Sequence, residues 1–335
     1  MLILVFRGAA VSKKAALPPL IFPCNHPKTP MILILSNRRD ATTDLLMPHL
    51  ESHAEVFRFN IDLWRDYSWS ISATGYELRD PTGRTCRERE VGAVYDRKVM
   101  FDPPRIDVPA EGCPEAWLRN EVLLVWSGIK DLAVHSGKCA LIHPSPHGTW
   151  YKMRQMRLAA EYFPVPAWQM LHRAPVQLAG EVVCKTNGVE PMGNGQILMV
   201  NKVDPARLDT AYPWFLQQCL SRATHDVTVV YVNGKLFAYE MPRGGSTDCR
   251  IDTFNNADTW TPCELTPEQS DSICRMMRRT GLSFSRLDFL RDADGTLHFL
   301  EFNVNGQFAW LDLHNERGLL TAIAQEILRV HAAHT

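Results

Sequence analysis

Acidic, amide and basic side chains come closest together in residues 286–307, RLDFLRDADGTLHFLEFNVNGQ. Two apolar-rich runs flank Asp292-Ala-Asp-Gly295, and Asp294-Gly295 is a strong short-range signal for a two-residue type I′ hairpin loop. With that loop, Asp288 lies opposite Glu301 and Arg286 opposite Asn303, and period-2 alternation puts all four on one face. A four-residue turn would shift the pairing by one diagonal and keep the face. Two carboxylates opposed at roughly 5 Å between Cβ atoms destabilise a hairpin unless positive charge sits between them. Phe289, Leu290, Phe299, Leu300 and Phe302 predict burial, which makes unpaired charge costlier. One resolution is an Arg286–Asp288 or Arg286–Glu301 ion pair in an ordinary hairpin. The other is a divalent cation, since carboxylate and amide oxygens without His or Cys suit Mg²⁺ held jointly with substrate phosphates. Asn303 has no role in the first arrangement and is a ligand in the second, which favours the metal.

Other basic residues are weaker signals singly. Lys152 sits with Arg154 and Arg157 in TWYKMRQMRLAAEYF, a helix on which an isolated lysine is usually solvated. Lys185 ends the strand GEVVCK and faces a Gly-rich stretch (Gly188, Gly193, Gly195). Such a loop can hold phosphates through backbone N–H groups and a point charge, and is equally often a plain hairpin turn. Arg97-Lys98 ends the strand VGAVYDRKV, placed either to meet an anionic substrate or to be solvated. The polar loop 242–263 carries Arg243, Asp248 and Arg250, and its length marks it as functional rather than connective. There is no G-x-G-x-x-G and no Walker A motif.

The elements that position these groups follow from hydrophobic period. From Met31 to about 143 the chain reads as an open α/β unit: strand MILILS, helix DLLMPHLESH with Thr42 or Thr43 near its cap, strand EVFRFNI, a hairpin turning at 81–83, strand VGAVYDRKV and helix WLRNEVLLVWSGIKDLAV. PVPAWQML is extended, and PWFLQQCLSRA is a strand or short helix. HDVTVVYVNGKLFAYEMPR is a hairpin turning at Asn233-Gly234. LTPEQSDSICRMMRRTG is a helix with Thr266 as cap, Pro267 opening it and Gly281 stopping it. GLLTAIAQEILRVH is a final amphipathic helix. Residues 1–30, with five prolines and no periodic pattern, read as a disordered leader or the product of an upstream start codon. A secretory signal would place its positive charge before MLILVF.

Length and composition bound the rest. The 335 residues allow about two or three cores. A net charge of −1 argues against a general nucleic-acid binder. No apolar run reaches the roughly 20 residues that span a bilayer. Nine scattered cysteines without a C-x-x-C pair fit reduced thiols in the cytoplasm.

Taken in order, the series of α/β lobe, helix with Lys152, strand-end Lys185 with a Gly-rich loop, strand, hairpin, helix and Asp…Glu-x-Asn hairpin resembles the ATP-grasp superfamily over about residues 31–330. Three features resemble the graspetide (microviridin-type) peptide ligases within it: the lobe opening with Asp40 and Thr42-Thr43-Asp44, the strand GAVYDRK, and the ending DFLRDADGTLHFLEFNVNGQFAWLD. The resemblance implies an α+β ATP-grasp fold with an N-terminal open α/β pre-ATP-grasp domain over 31–143, a central subdomain over 144–222 and a C-terminal subdomain over 223–335. It also implies ATP and Mg²⁺ as cofactors. Lys152 and Lys185 would bind phosphates, the hinge Gln217, Gln218, Cys219 and Leu220 would meet adenine, and Asp288, Glu301 and Asn303 would hold Mg²⁺.

ATP would convert a carboxylate to an acyl-phosphate that an amine or hydroxyl then attacks. In graspetide ligases the substrate is a ribosomal precursor peptide, whose Asp or Glu side chains are joined to Lys, Thr or Ser as ω-amides or ω-esters. Arg243 and Arg250 are the candidates to hold the acceptor carboxylate, a group that a guanidinium fork suits. A homodimer is an expectation from the resemblance alone. Two departures stand out: Gln218 occupies a hinge position that is usually acidic, and Thr228 stands where the family usually has Arg. Arg286, on the face of Asp288, is the candidate replacement for that charge. The alternatives are an ATP-grasp ligase acting on a small molecule or a protein tail, and a nucleotide-binding scaffold without catalysis.

Overall fold

The apolar run MILILS forms β1 (Met31–Ser36), buried along its whole length. Such a strand needs cover on both faces, which a parallel α/β sheet supplies. The structure, a computed structural model, describes residues 30–97, 115–141, 150–185, 200–243 and 260–335. After α1 (Ala41–Glu51) the chain returns as β2 (Glu55–Asn60), and β6 (Val91–Asp96) and β7 (Cys139–Ala140) extend the sheet on its other side. The parallel order is β2-β1-β6-β7. An antiparallel flap of β3 (Ser68–Ser72), β4 (Gly75–Arg79) and β5 (Thr85–Arg87) lies between β2 and β6 in sequence, with the expected turn joining β4 to β5. From α2 (Glu115–His135), Val122, Trp126 and Ile129 pack against Met31, Leu33 and Leu35. The cap of α1 is Asp40 rather than a threonine. Its carboxylate accepts from the hydroxyls of Thr43 at 2.9 Å and Ser36 at 3.0 Å.

A second, antiparallel sheet has the order β10-β9-β11-β8. It comprises β8 (Trp168–Leu171), β9 (Val182–Lys185), β10 (Asn201–Val203) and β11 (Trp214–Gln218). The segment PWFLQQCL, open between strand and helix from its sequence, is therefore strand. The preceding helix α3 (Lys152–Ala159) begins at Lys152, with Tyr151 as an N-cap lacking a side-chain bond. The three glycines of the Gly-rich stretch lie outside the described residues.

The third sheet runs β14-β13-β12-β15-β16. Its strands are β12 (Ala223–Val232), β13 (Lys235–Pro242), β14 (Thr261–Pro262), β15 (Phe284–Asp292) and β16 (Leu297–Asn303). Asn233 and Gly234, the expected turn residues, take φ of 44° and 93°, both positive as in a type I′ loop. In α4 (Pro267–Thr280), Thr266 and Gln269 form a reciprocal capping box, and Gly281 ends the helix in the left-handed region. Ile273, Met276 and Met277 of α4 cover one face of this sheet through Val227, Val229, Leu287, Phe289 and Phe299. On the other face Val230, Val232 and Phe284 join Ile32, Ile34 and Leu46 in a single core. The last helix, α5 (Leu319–Ala332), closes that core with Leu320, Ile323 and Ile327. The far end of this second face is polar.

Candidate active site

The polar end is built by the β15–β16 hairpin. Arg286 pairs with Asn303 and Asp288 with Glu301, the register expected from sequence. The turn that delivers it differs from expectation. Asp292 and Thr296 close a three-residue loop, with Gly295 at φ 87°. That loop alone would place Asp288 opposite Leu300 and turn Glu301 toward the apolar core. A one-residue shift between Asp288 and Phe289 restores the pairing. Leu300 is the extra residue, and the bulge re-aims the side chains that follow it. It lets Phe299 and Phe302, three apart, both enter the core under α4, while Glu301 and Asn303 face the site.

Lys152 and Arg286 contact the two carboxylates, and the charge of Lys185 also acts on Glu301. Lys152 Nζ contacts Glu301 Oε2. Arg286 Nη2 donates to Asp288 Oδ2 at 3.0 Å, and its Nη1 donates to the Gln307 carbonyl at 3.1 Å. Thr228 Oγ1 donates to Asp288 Oδ1 at 2.8 Å. Burial opposes ionisation of Glu301, but Lys152, Lys185 and Arg286 overcome it and push its carboxyl down to about 2. The ion-pair arrangement is thus realised, and Asn303 has a place in it: its amide donates to Asp288 Oδ2 at 3.1 Å and to Glu301 Oε1 at 3.5 Å. The sequence argument that Asn303 requires a metal does not hold. What remains is the donor set. Among the described residues no group of three or more His, Cys, Asp or Glu could hold a metal ion by itself. Two carboxylates and one amide leave an octahedral ion short of oxygens, as fits Mg²⁺ completed by phosphates and water.

Helix α3 is fastened to β16 by a residue that the sequence did not single out. Gln155 is buried; its Oε1 accepts from Phe302 N–H at 2.9 Å, and its Nε2 donates to the Trp150 carbonyl at 2.6 Å. Met156 and Ala159 bury the inner side of the helix. Lys152, at its first turn, is thereby held over Glu301. A glutamine in a short polar helix carries no sequence signal for this.

On β11 alternation separates the two hinge glutamines. Gln217 is buried and accepts from Lys185 Nζ at 2.8 Å. Gln218 is exposed on the opposite side, so its neutral side chain is not on the face of Lys185. The Gln218 and Cys219 N–H groups donate to Ala167 and Glu181 carbonyls, both at 2.8 Å. Leu220 follows, and its carbonyl accepts from Ala223 N–H at 3.3 Å. Arg243 Nε lies 3.7 Å from Asp226 Oδ2, on the strand that also carries Thr228. Arg250 lies outside the described residues.

Beyond Asn303 the chain turns against the first sheet. Arg97, expected to meet an anionic substrate or to be solvated, is 2% exposed and pairs within the protein. Its Nε lies 3.3 Å from Asp40 Oδ2, and its Nη1 donates to Asn305 Oδ1 at 2.8 Å and to the Gly306 carbonyl at 3.4 Å. Asn305 Nδ2 donates back to the Arg97 carbonyl at 2.6 Å. A Cβ on Gly306 would stand 2.8 Å from Arg286 Cβ and 3.2 Å from Asn303 Cβ, so close approach requires glycine there.

No family model matches the sequence, and no curated protein matches it. Solved structures do. A RiPP-associated ATP-grasp ligase of Chryseobacterium gregarium, in complex with ADP and a leader and core peptide, has a TM-score of 0.74 at 20% identity, over 90% of this chain and 97% of that one. Macrocyclase MdnC of Microcystis aeruginosa, bound with precursor peptide MdnA, gives 0.73 at 19% identity, covering 89% and 99%. ATP-grasp ligase PsnB, complexed with minimal precursor, Mg and ADP, gives 0.63 at 17% identity, covering 90% and 98%. The sheets, the paired carboxylates and the strand-end lysine thus belong to a chain with the ATP-grasp fold.

Proposed function

We propose that the protein is an ATP- and Mg²⁺-dependent ligase that joins side chains within a ribosomally made precursor peptide through ω-ester or ω-amide bonds. The observation that carries this reading is the opposition of Asp288 and Glu301 beside Lys152, Lys185 and Arg286. It stands on a fold shared with ATP-grasp ligases that are themselves bound to precursor peptides. A catalytically idle scaffold would have no reason to carry two opposed carboxylates set among three cations.

Asp288, Glu301 and Asn303 would hold Mg²⁺, which neutralises phosphate charge when bound. Lys152 leaves Glu301 for the phosphates, and Lys185, held by Gln217, meets them from the second sheet. Arg286 keeps Asp288 oriented and supplies the positive charge that Thr228 cannot. Bond formation then needs the reacting groups held close and in line, which is positioning and charge stabilisation rather than covalent catalysis by the protein. Arg243 reaches the same sheet face through Asp226 and would orient the peptide's acceptor carboxylate, with Arg250 from the long loop as its partner.

The test is to incubate the protein, ATP and Mg²⁺ with a short acidic peptide encoded beside its gene and weigh the product. Loss of one water per bond is expected. A gain equal to an added amino acid would replace this reading with that of a ligase adding a residue to a protein tail.

A further inference from the structure

The strongest device outside the carboxylate pair is the buried arginine that ties the first sheet to the turn after β16. We propose that Arg97 is a positioning residue for the metal-binding face: through Asn305 and Gly306 it fixes the turn against which Arg286 and Asn303 are set. This rests on the reading of Asp288, Glu301 and Asn303 as the Mg²⁺ ligands.

Arg97 follows the last residue of β6, and its N–H donates to the Leu35 carbonyl at 2.8 Å, so its backbone belongs to the rigid parallel sheet. The guanidinium then bridges two partners. Nε faces Asp40, whose carboxylate is itself held by Ser36 and Thr43. Nη1 faces Asn305 and Gly306. The ring of Phe308, fully buried, lies 5.4 Å from the guanidinium carbon. A lysine ammonium could satisfy one partner but not both, because only the planar fork presents donors in two fixed directions.

The turn held in this way touches the site at two points. The Gln307 carbonyl takes one Arg286 donor, leaving the other for Asp288. Gly306 abuts Arg286 Cβ and Asn303 Cβ, so a displaced turn must displace both residues. Arg97 and Asn305 are 208 positions apart, so the two bonds between them join the first sheet to the turn that follows β16. Outer groups that orient metal ligands commonly alter metal affinity by about 10–100-fold when removed.

The experiment titrates Mn²⁺ into the full chain at saturating ADP, with free Mn²⁺ read by electron paramagnetic resonance and folding read by thermal unfolding. Asn305→Ala removes both Arg97–Asn305 bonds, leaving the Arg97–Asp40 pair and the longer bond to the Gly306 carbonyl, and should weaken Mn²⁺ binding about tenfold or more. Arg97→Lys should do the same. Ile129→Ala, on the inner face of α2 and in a different core cluster from Phe308 of the turn, is the control for general destabilisation and should bind Mn²⁺ as the parent does. Unchanged affinity in Asn305→Ala would overturn the positioning role while leaving the metal site standing. Equal weakening in Asn305→Ala and Ile129→Ala would also overturn it, because the loss would then come from folding. A parent protein that binds no Mn²⁺ with ADP would sink the metal reading itself, and this inference with it.

Discussion

Replacing Glu301 with Gln removes one charge and little volume, so its consequences can be worked from the surrounding cations. The carboxyl is pushed from 4.5 to about 2 by its environment. At about 1.4 kcal/mol per tenfold change in proton affinity, that is an upper bound of ~3 kcal/mol favouring the ionised form. The side chain is 30% exposed, so solvent screening lowers the figure to about 1–2 kcal/mol. The sign follows from the direction of the shift. The folded pKa lies below the unfolded one, so the stabilisation is complete above about pH 4.5 and is lost as pH falls toward 2. Without nucleotide, Glu301→Gln should unfold at a temperature a few degrees below the parent at pH 7. The gap should be constant from pH 7 to 5 and narrow below 4.5. With Mg²⁺ and ADP the parent should gain thermal stability that the variant does not. Equal midpoints at pH 7, or a gap unchanged in acid, would refute the charge arrangement described here; equal stabilisation by Mg²⁺ and ADP would refute the metal assignment.

Two further substitutions test the neighbouring contacts. Arg286→Lys cannot hold Asp288 and the Gln307 carbonyl together, so peptide-dependent ATP turnover should fall sharply; intact turnover would show that Arg286 does not replace the charge missing at Thr228. Gly306→Ala should cost about 1–3 kcal/mol from overpacking against Arg286, read as a lower unfolding midpoint, and an unaltered midpoint would mean that the turn yields freely.

What the sequence made legible was local. Period-2 alternation placed Arg286, Asp288, Glu301 and Asn303 on one face, and Thr266, Pro267 and Gly281 marked α4, because these signals act over a few residues. The loop at Asp294-Gly295 has three residues where the sequence predicts two, and the register is nevertheless the expected one because the bulge at Leu300 compensates. A bulge has no composition of its own. The partners of Arg97 and Gln155 were invisible for a different reason. Arg97 bonds Asn305 across 208 positions and Gln155 bonds Phe302 across 147, and polar residues that bond at such separations leave no periodic trace. The same holds for α5, whose amphipathic pattern shows a buried face but not that it packs with Ile32 and Leu46.

The central claim, that ATP activates a peptide carboxylate, is tested most directly by the fate of its oxygen. A precursor peptide with heavy-oxygen-labelled Asp and Glu carboxylates, incubated with the protein, ATP and Mg²⁺, should yield inorganic phosphate carrying one labelled oxygen for every bond formed. Bond formation that leaves the phosphate unlabelled would contradict the account.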